Sequence, residues 1–279
     1  MNALQIAVLA LVQGAAELLP VSSSAHVILA EKLMGLDPTA PDMTLLLVML
    51  HVGTMFAVIV YFWRSWKETY FASRSAFRIN GLQVVLATAV TGAVGLVLLQ
   101  VIKHVVAGNA PDFEIEQLFG NTRLIAVALG AAGCLILVAS RSAGTAAGEL
   151  NTRRAAWIGA VQGLCLPFRG FSRSGATISS AMVLGVNRRR AEEFSFALAV
   201  VLTPAVVIKE GHRFFAANAV AISNDSMWRL LGPSLAGMVL SFLAGLAALR
   251  WLSRWLEQGR WQLFGAYCLC AALVVLIVG

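Results

Sequence analysis

Six stretches of this chain are apolar for long enough to cross a bilayer: roughly residues 44–63, 82–102, 122–140, 193–212, 230–250 and 261–279. A spanning helix needs about 20 such residues, because hydrocarbon satisfies no backbone N–H or C=O. Two further apolar stretches, 1–34 and 155–187, break the pattern. Each is interrupted midway by proline, glycine and polar residues, and each has the length for two half-helices. The pattern predicts re-entrant hairpins, tolerated at membrane depth where they are buried in protein or line a wet cavity. Short alternating strands of the kind that build a membrane barrel are not seen.

Charge placement adds orientation. Cytoplasmic loops are enriched in Lys and Arg. Arg64, Lys67, Arg74 and Arg78 against Glu68 predict a cytoplasmic 64–80 loop. Asp112, Glu114 and Glu116 against Lys103 predict an external 103–121 loop. Arg141, Arg153 and Arg154, then Arg188, Arg189 and Arg190, predict cytoplasmic positions on both sides of 155–187. That segment must then enter and leave on one side. Arg250, Arg254 and Arg260 place the last loop inside, and both termini come out external.

The expected fold is therefore an all-α integral membrane protein with six transmembrane helices and two re-entrant helical hairpins. Each half is a broken hairpin followed by three spans, and the hairpins enter from opposite sides. This is an inverted-topology repeat in a single membrane domain, with halves about 1–140 and 155–279 joined by a cytoplasmic loop 141–154. Gln13-Gly14 and Gln162-Gly163 open the two hairpin motifs as a weak echo. Such repeats place their site near the midplane, where the hairpin tips meet.

Composition agrees. Of the 279 residues 59% are hydrophobic and only 13% charged, against about 25% charged in soluble domains. Mean hydropathy is +0.79. The net charge of +7 sits mostly between apolar segments, which fits anionic headgroups rather than nucleic acid. Cys134, Cys165, Cys268 and Cys270 lie in apolar segments at no ligand spacing and read as packing residues. The first twelve residues lack the basic start and cleavage site of a signal peptide and read as mature chain.

The hairpin tips carry the chemistry. The first reads QGAAELLPVSSSAH, residues 13 to 26. Gln13 and Glu17 share a helix face. Pro20 ends that helix. Ser22 or Ser23 caps the next one, and His26 lies on the same face as either. The blander alternative has the serines capping and His26 bonding a backbone carbonyl. It is weaker for Glu17, since an ionisable group within the membrane is costly. The second tip reads LPFRGFSRSGATIS, residues 166 to 179. Pro167 and Gly170 break one half-helix, and Ser172, Arg173, Ser174, Gly175 and Thr177 open another. A helix start attracts anions, and the Arg173 fork suits phosphate oxygens, with Arg169 a further donor. The alternative is a salt bridge from Arg173 to Glu17. One tip then offers a nucleophile and a base, the other a phosphate cradle. That division suits phosphoryl transfer. No P-loop or kinase motif is seen.

The two motifs resemble those of bacterial undecaprenyl pyrophosphate phosphatases, the bacitracin-resistance proteins. The family's Glu/Gln-x-x-x-Glu followed by P-V-S-S-(S/T)-(A/G)-H is matched by Gln13, Glu17, Pro20, Val21, Ser22, Ser23, Ser24, Ala25 and His26. Its P-G-x-S-R-S-G-x-T is matched from Gly170 to Thr177, with Arg169 in place of the proline and Pro167 displaced upstream. The resemblance implies an enzyme of the bacterial inner membrane with its site open to the periplasmic side. It implies hydrolysis of undecaprenyl pyrophosphate, recycling of the carrier lipid for peptidoglycan synthesis, and a divalent cation, Mg or Ca. The expected catalytic residues are Glu17, Ser23, His26 and Arg173, with Ser23 the nucleophile and the base open between His26 and Glu17. Gln13, Ser22, Arg169, Ser172, Ser174, Gly175 and Thr177 are the expected substrate contacts, and Glu17 is a candidate for holding a cation. Direct attack by water also stays open, as does a homodimer. The alternative of another class is a lipid-carrier flippase or secondary transporter, and a blander one is a structural subunit.

Overall fold

A computed structural model describes residues 1–37, 41–106, 121–142, 148–168, 170–218 and 224–278. Arg169, Asp112, Glu114 and Glu116 lie outside the described residues. The described chain is helical throughout apart from one isolated bridge. Ten α-helices follow in order: α1 Ala3–Leu18, α2 Ser23–Leu33, α3 Pro41–Tyr70, α4 Arg74–Val101, α5 Thr122–Ser142, α6 Thr152–Cys165, α7 Arg173–Val183, α8 Arg188–Asn218, α9 Asn224–Glu257 and α10 Trp261–Val278. A π-helical turn, Ile102–Val106, extends α4.

Among the described residues five helices are long and apolar enough to cross a membrane: Met43–Tyr70, Arg74–Val105, Thr122–Ser142, Arg188–Lys209 and Leu231–Glu257. They correspond to the first five predicted spans. The sixth falls on α10, an apolar helix of 18 residues, about 27 Å long at 1.5 Å per residue. The helices overrun the predicted spans. The expected 64–80 loop contracts to the few residues between Tyr70 and Arg74, and Arg188 to Arg190 form the first turn of α8. Hydropathy marks where apolar surface stops. It does not mark where backbone hydrogen bonding stops, and charged residues continue a helix readily.

Both interrupted segments are broken as expected. Stretch 1–34 becomes α1 and α2, parted at Leu19 to Ser22, and stretch 155–187 becomes α6 and α7, parted at Leu166 to Ser172. Helix α1 starts with a reciprocal cap: the Gln5 N–H donates to Asn2 Oδ1 at 2.8 Å, and the Asn2 N–H to Gln5 Oε1 at 2.9 Å. It stops where Pro20 leaves no donor to continue the ladder. Helix α2 packs against α1, and α6 against α7.

The chain forms two compact units that are discontinuous in sequence. The first comprises Met1–Leu19, Ser23–Trp63 and Ala199–Leu252. Its core joins Ile6, Leu9 and Ala10 of α1, Val27 of α2, and Met43, Leu46 and Leu50 of α3. Gly14 lets α1 meet α9 backbone to backbone, since a Cβ there would sit 2.6 Å from the Ser241 carbonyl oxygen.

The second unit comprises Pro20–Ser22, Arg64–Leu198 and Ser253–Gly279. Here α6 lies on α4. A Cβ on Gly163 would approach Val94 Cβ to 2.7 Å, and one on Gly159 would approach the Ala87 carbonyl oxygen to 2.3 Å. Small residues four apart give this close approach, the usual packing device where lipid removes the hydrophobic drive. The Thr91 hydroxyl lies 2.9 Å from the Gly159 carbonyl oxygen and accepts from Gln162 Nε2 at 3.1 Å. Helices α5 and α10 cross at Gly133 and Gly265, where each glycine's Cβ would stand 3.0 Å from the other's carbonyl oxygen.

The two ends of the α6–α7 segment meet. The Gly148 N–H donates to the Gly185 carbonyl at 2.9 Å, and the Asn187 N–H to the Gly148 carbonyl at 3.0 Å. A buried polar cluster joins the end of α3 to the start of α8. Glu193, 4% exposed, accepts from Ser65 Oγ and, at 3.1 Å, from Arg189 Nε. Arg190 donates to Asn80 Oδ1 at 2.5 Å and lies over the Tyr70 ring at 5.2 Å.

Candidate active site

The first motif closes on Glu17. Its carboxylate sits on the last turn of α1, and its side chain is 19% exposed. The Ser23 hydroxyl donates to Glu17 Oε2 at 2.6 Å, and Gln13 Nε2 donates to the same oxygen at 3.3 Å. Gln13 reaches it because residues four apart share a helix face. Ser23 reaches it because the chain reverses at Pro20 and starts α2 at Ser23. A short O–H···O⁻ bond is charge-assisted, and it leaves the hydroxyl proton aimed at a carboxylate. That is the arrangement an activated nucleophile requires.

Ser22 holds the reversal. Its φ of 66° is the one left-handed value among described non-glycine residues. This differs from the extended conformation usual for a capping residue, a role the sequence leaves open between Ser22 and Ser23. Such conformations cost about 1–3 kcal/mol and persist where surrounding structure imposes them.

His26 lies one turn beyond Ser23. It lines a cavity of about 570 Å³ along the α1–α2 pair, with Val8, Val12, Leu29 and Met34 among its walls. An imidazole outside the motif also approaches Glu17. His51 of α3 places Nε2 3.9 Å from Glu17 Oε2, while its Nδ1 contacts the Leu47 carbonyl at 2.8 Å. His51 escaped the sequence reading because it sits alone in the middle of an apolar span. A histidine at that depth was the available signal.

The second motif belongs to the second unit. Ser172 caps α7, its Oγ accepting from the Gly175 N–H at 3.3 Å, and lies 3.5 Å from Ser174 Oγ. Arg173 is the first residue of the helix. Gly170 adopts φ 108°, and a Cβ there would lie 2.4 Å from the Ile125 carbonyl oxygen, so glycine is required at this turn. Thr177 is fully buried. Its hydroxyl lies 2.6 Å from Ser195 Oγ and donates to the Arg173 carbonyl at 2.8 Å. It thus braces the first turn of α7.

Part of the first motif packs in this second unit. A Cβ on Gly175 would meet Pro20 Cβ at 3.1 Å, and Cys268 Sγ donates to the Pro20 carbonyl at 3.1 Å. All four cysteines are free.

The donor set around Glu17 bears on a cation. Among the described residues no group of three or more His, Cys, Asp or Glu side chains converges. The set is one carboxylate with a hydroxyl, an amide and an imidazole near it. That fits an ion held by one carboxylate and completed by substrate phosphate oxygens, as magnesium often is. It does not make an all-protein cage.

Comparison with known proteins covers the whole chain. Residues 6–274 match the family model described as bacitracin resistance protein BacA. Undecaprenyl-diphosphatase 2 of Acinetobacter baylyi is 60% identical over 278 residues, 99% of this chain and 98% of that protein. Undecaprenyl-diphosphatase of Gluconacetobacter diazotrophicus is 33% identical over 98% of this chain and 96% of its own length. That of Thermus thermophilus is 31% identical over 98% and 96%. With matches from end to end and both hairpin motifs in place, the chain belongs to the bacitracin resistance protein BacA family.

Proposed function

We propose that this multi-pass membrane enzyme hydrolyses undecaprenyl pyrophosphate to undecaprenyl phosphate and phosphate. It thereby recycles the carrier lipid for peptidoglycan synthesis and confers bacitracin resistance. Family membership and full-length identity to named undecaprenyl-diphosphatases support the activity. The observation that carries the chemistry is the 2.6 Å bond from Ser23 to Glu17.

In this reading Ser23 Oγ attacks the terminal phosphorus as its proton passes to Glu17 Oε2. The bridging P–O bond breaks, and undecaprenyl phosphate leaves with the electron pair. The departing phosphate takes up the proton from Glu17. Water then attacks the phosphoserine phosphorus as its own proton passes to the freed Glu17 carboxylate, the Ser23 Oγ–P bond breaks, and that proton returns to Ser23 Oγ as phosphate leaves. Glu17 is preferred to His26 as the base because it is the group in hydrogen-bonding contact with the hydroxyl. His26 contacts the lipid pyrophosphate from the cavity side. Arg173 binds the transferred phosphoryl group at the positive start of α7, helped by Arg169 and by Ser22, Ser172, Ser174 and the Gly175 N–H. Gln13 orients Glu17, and Thr177 braces the α7 turn. A divalent cation, Mg or Ca, would be held by Glu17 and would neutralise charge on the pyrophosphate oxygens.

The proposed topology is six spans and two re-entrant hairpins, arranged as an inverted repeat of halves about 1–140 and 155–279. Three contacts favour it. The meeting of Gly148 with Gly185 and Asn187 brings the ends of the second hairpin segment together. Gly14 of α1 packs on α9 while Gly163 of α6 packs on α4, a swap of equivalent elements. The reciprocal approach of Gly133 and Gly265 is what a local two-fold axis between α5 and α10 produces. Family membership supports a location in the bacterial inner membrane with the site open to the periplasmic side, and the charge placement fits that sidedness. The chemistry requires no second copy of the chain, although a homodimer is compatible with it.

The test is phosphate release from undecaprenyl pyrophosphate by purified protein in detergent. Turnover that Ser23→Ala or Glu17→Gln abolishes is the expected result. A transporter, which the broken helices also suit, would release none in the absence of a membrane.

A further inference from the structure

His51 is unaccounted for by the mechanism, and its orientation is determined. A carbonyl oxygen only accepts hydrogen bonds, so the 2.8 Å contact with the Leu47 carbonyl puts the ring proton on Nδ1. The ring then presents Nε2 towards Glu17. The backbone at this point is tied as well, since Thr54 Oγ1 donates to the His51 carbonyl at 2.9 Å. Nε2 and Glu17 Oε2 face each other across 3.9 Å. An N–H···O bond spans about 2.7–3.2 Å, so the gap is too wide for one. An ion about 2.0–2.2 Å from each donor bridges at most roughly 4.2 Å, which the gap fits.

We infer that His51 is a second protein ligand, together with Glu17, for the divalent cation of this site. The inference rests on the reading in which Glu17 holds that cation. Its consequence is a change in metal preference. Imidazole nitrogen suits zinc and other later divalent metals, whereas an all-oxygen site suits magnesium, calcium or manganese. The remaining ligand positions fall to phosphate oxygens, because no third His, Cys, Asp or Glu joins the pair among the described residues.

The probe is Mn²⁺ alone, added to chelator-stripped protein in detergent and followed by its paramagnetic resonance. Wild-type protein is expected to bind Mn²⁺ with the electron-spin-echo modulation of a directly bound ¹⁴N. His51→Gln should lose that modulation and weaken binding at least about tenfold, since even outer-shell partners of a metal are worth that much. Bound Mn²⁺ without nitrogen modulation overturns the inference, as does modulation that survives in His51→Gln or a failure of wild-type protein to bind Mn²⁺. The wild-type spectrum carries the test even if the variant fails to fold. Phosphate release by the same preparation is scored separately. A phosphatase whose manganese carries no nitrogen sinks the His51 assignment and leaves the proposed activity standing.

Discussion

Three consecutive serines carry the same hydroxyl and come to three different situations. Ser22 takes the left-handed turn, Ser23 donates to Glu17, and Ser24 follows on α2, where it does not share a face with His26. Ser23→Ala should therefore abolish turnover while the lipid pyrophosphate still binds. Ser22→Ala should cost part of both stability and activity, and Ser24→Ala little of either. Steady-state rates and melting midpoints of the three variants check the ranking, and a dead Ser24→Ala beside an active Ser23→Ala would refute it. Glu17→Gln keeps the shape but removes the proton acceptor. Its rate should fall by about 10²–10⁴, the usual worth of a general base. Arg173→Lys should lose about 10²–10³ in rate, because an ammonium cannot form the two-pronged contact. Near-normal turnover in the lysine variant would remove Arg173 from the phosphate site.

At the scale of elements, each hairpin needs a break that its neighbours enforce. Gly170 is the clearest case. Alanine there must adopt an unfavourable φ and also displace the Ile125 backbone. Gly170→Ala should cost about 1–3 kcal/mol from conformation alone, with more from the clash, seen as a lower melting midpoint in detergent. The Glu193 cluster holds the start of α8 in a different way. Burying a carboxylate is expensive unless its partners are in place, and removing one member strands the rest. Glu193→Ala should therefore destabilise by about 3–5 kcal/mol, leaving Arg190, which pairs with the Glu193 carboxylate at 3.6 Å, without its anion beside Asn80 and Tyr70. A melting midpoint equal to wild type would mean that the cluster is dispensable. Both breaks were legible as Pro and Gly among polar residues. The Glu193 cluster was not, because Ser65, Asn80 and Glu193 are far apart in sequence and individually ordinary.

At the scale of the molecule, the inverted repeat is tested by sidedness. Single cysteines near residues 150 and 189 should label from the same face of the membrane, with the native cysteines first removed. They should share that face with a cysteine near Arg74 and oppose one near Glu114. Labelling of the 150 and 189 sites from opposite faces would make the second hairpin a full span.

The sequence by itself determined that the chain is a helical membrane protein, where its apolar segments lie, that two of them are broken, and which motif residues to examine. These are consequences of local pattern: hydrocarbon demands internal backbone bonding over about 20 residues, and proline and glycine interrupt it wherever they stand. Tertiary structure alone decided which group Ser23 faces. Helical spacing allowed His26 as readily as Glu17, and only the reversal at Pro20 to Ser22 swings the hydroxyl onto the carboxylate. It alone also brought in His51, which no motif flags, since that meeting depends on how α3 packs beside α1. Periodicity fixes the face of a helix on which a side chain lies, but the partner across that face is set by packing between helices distant in the chain.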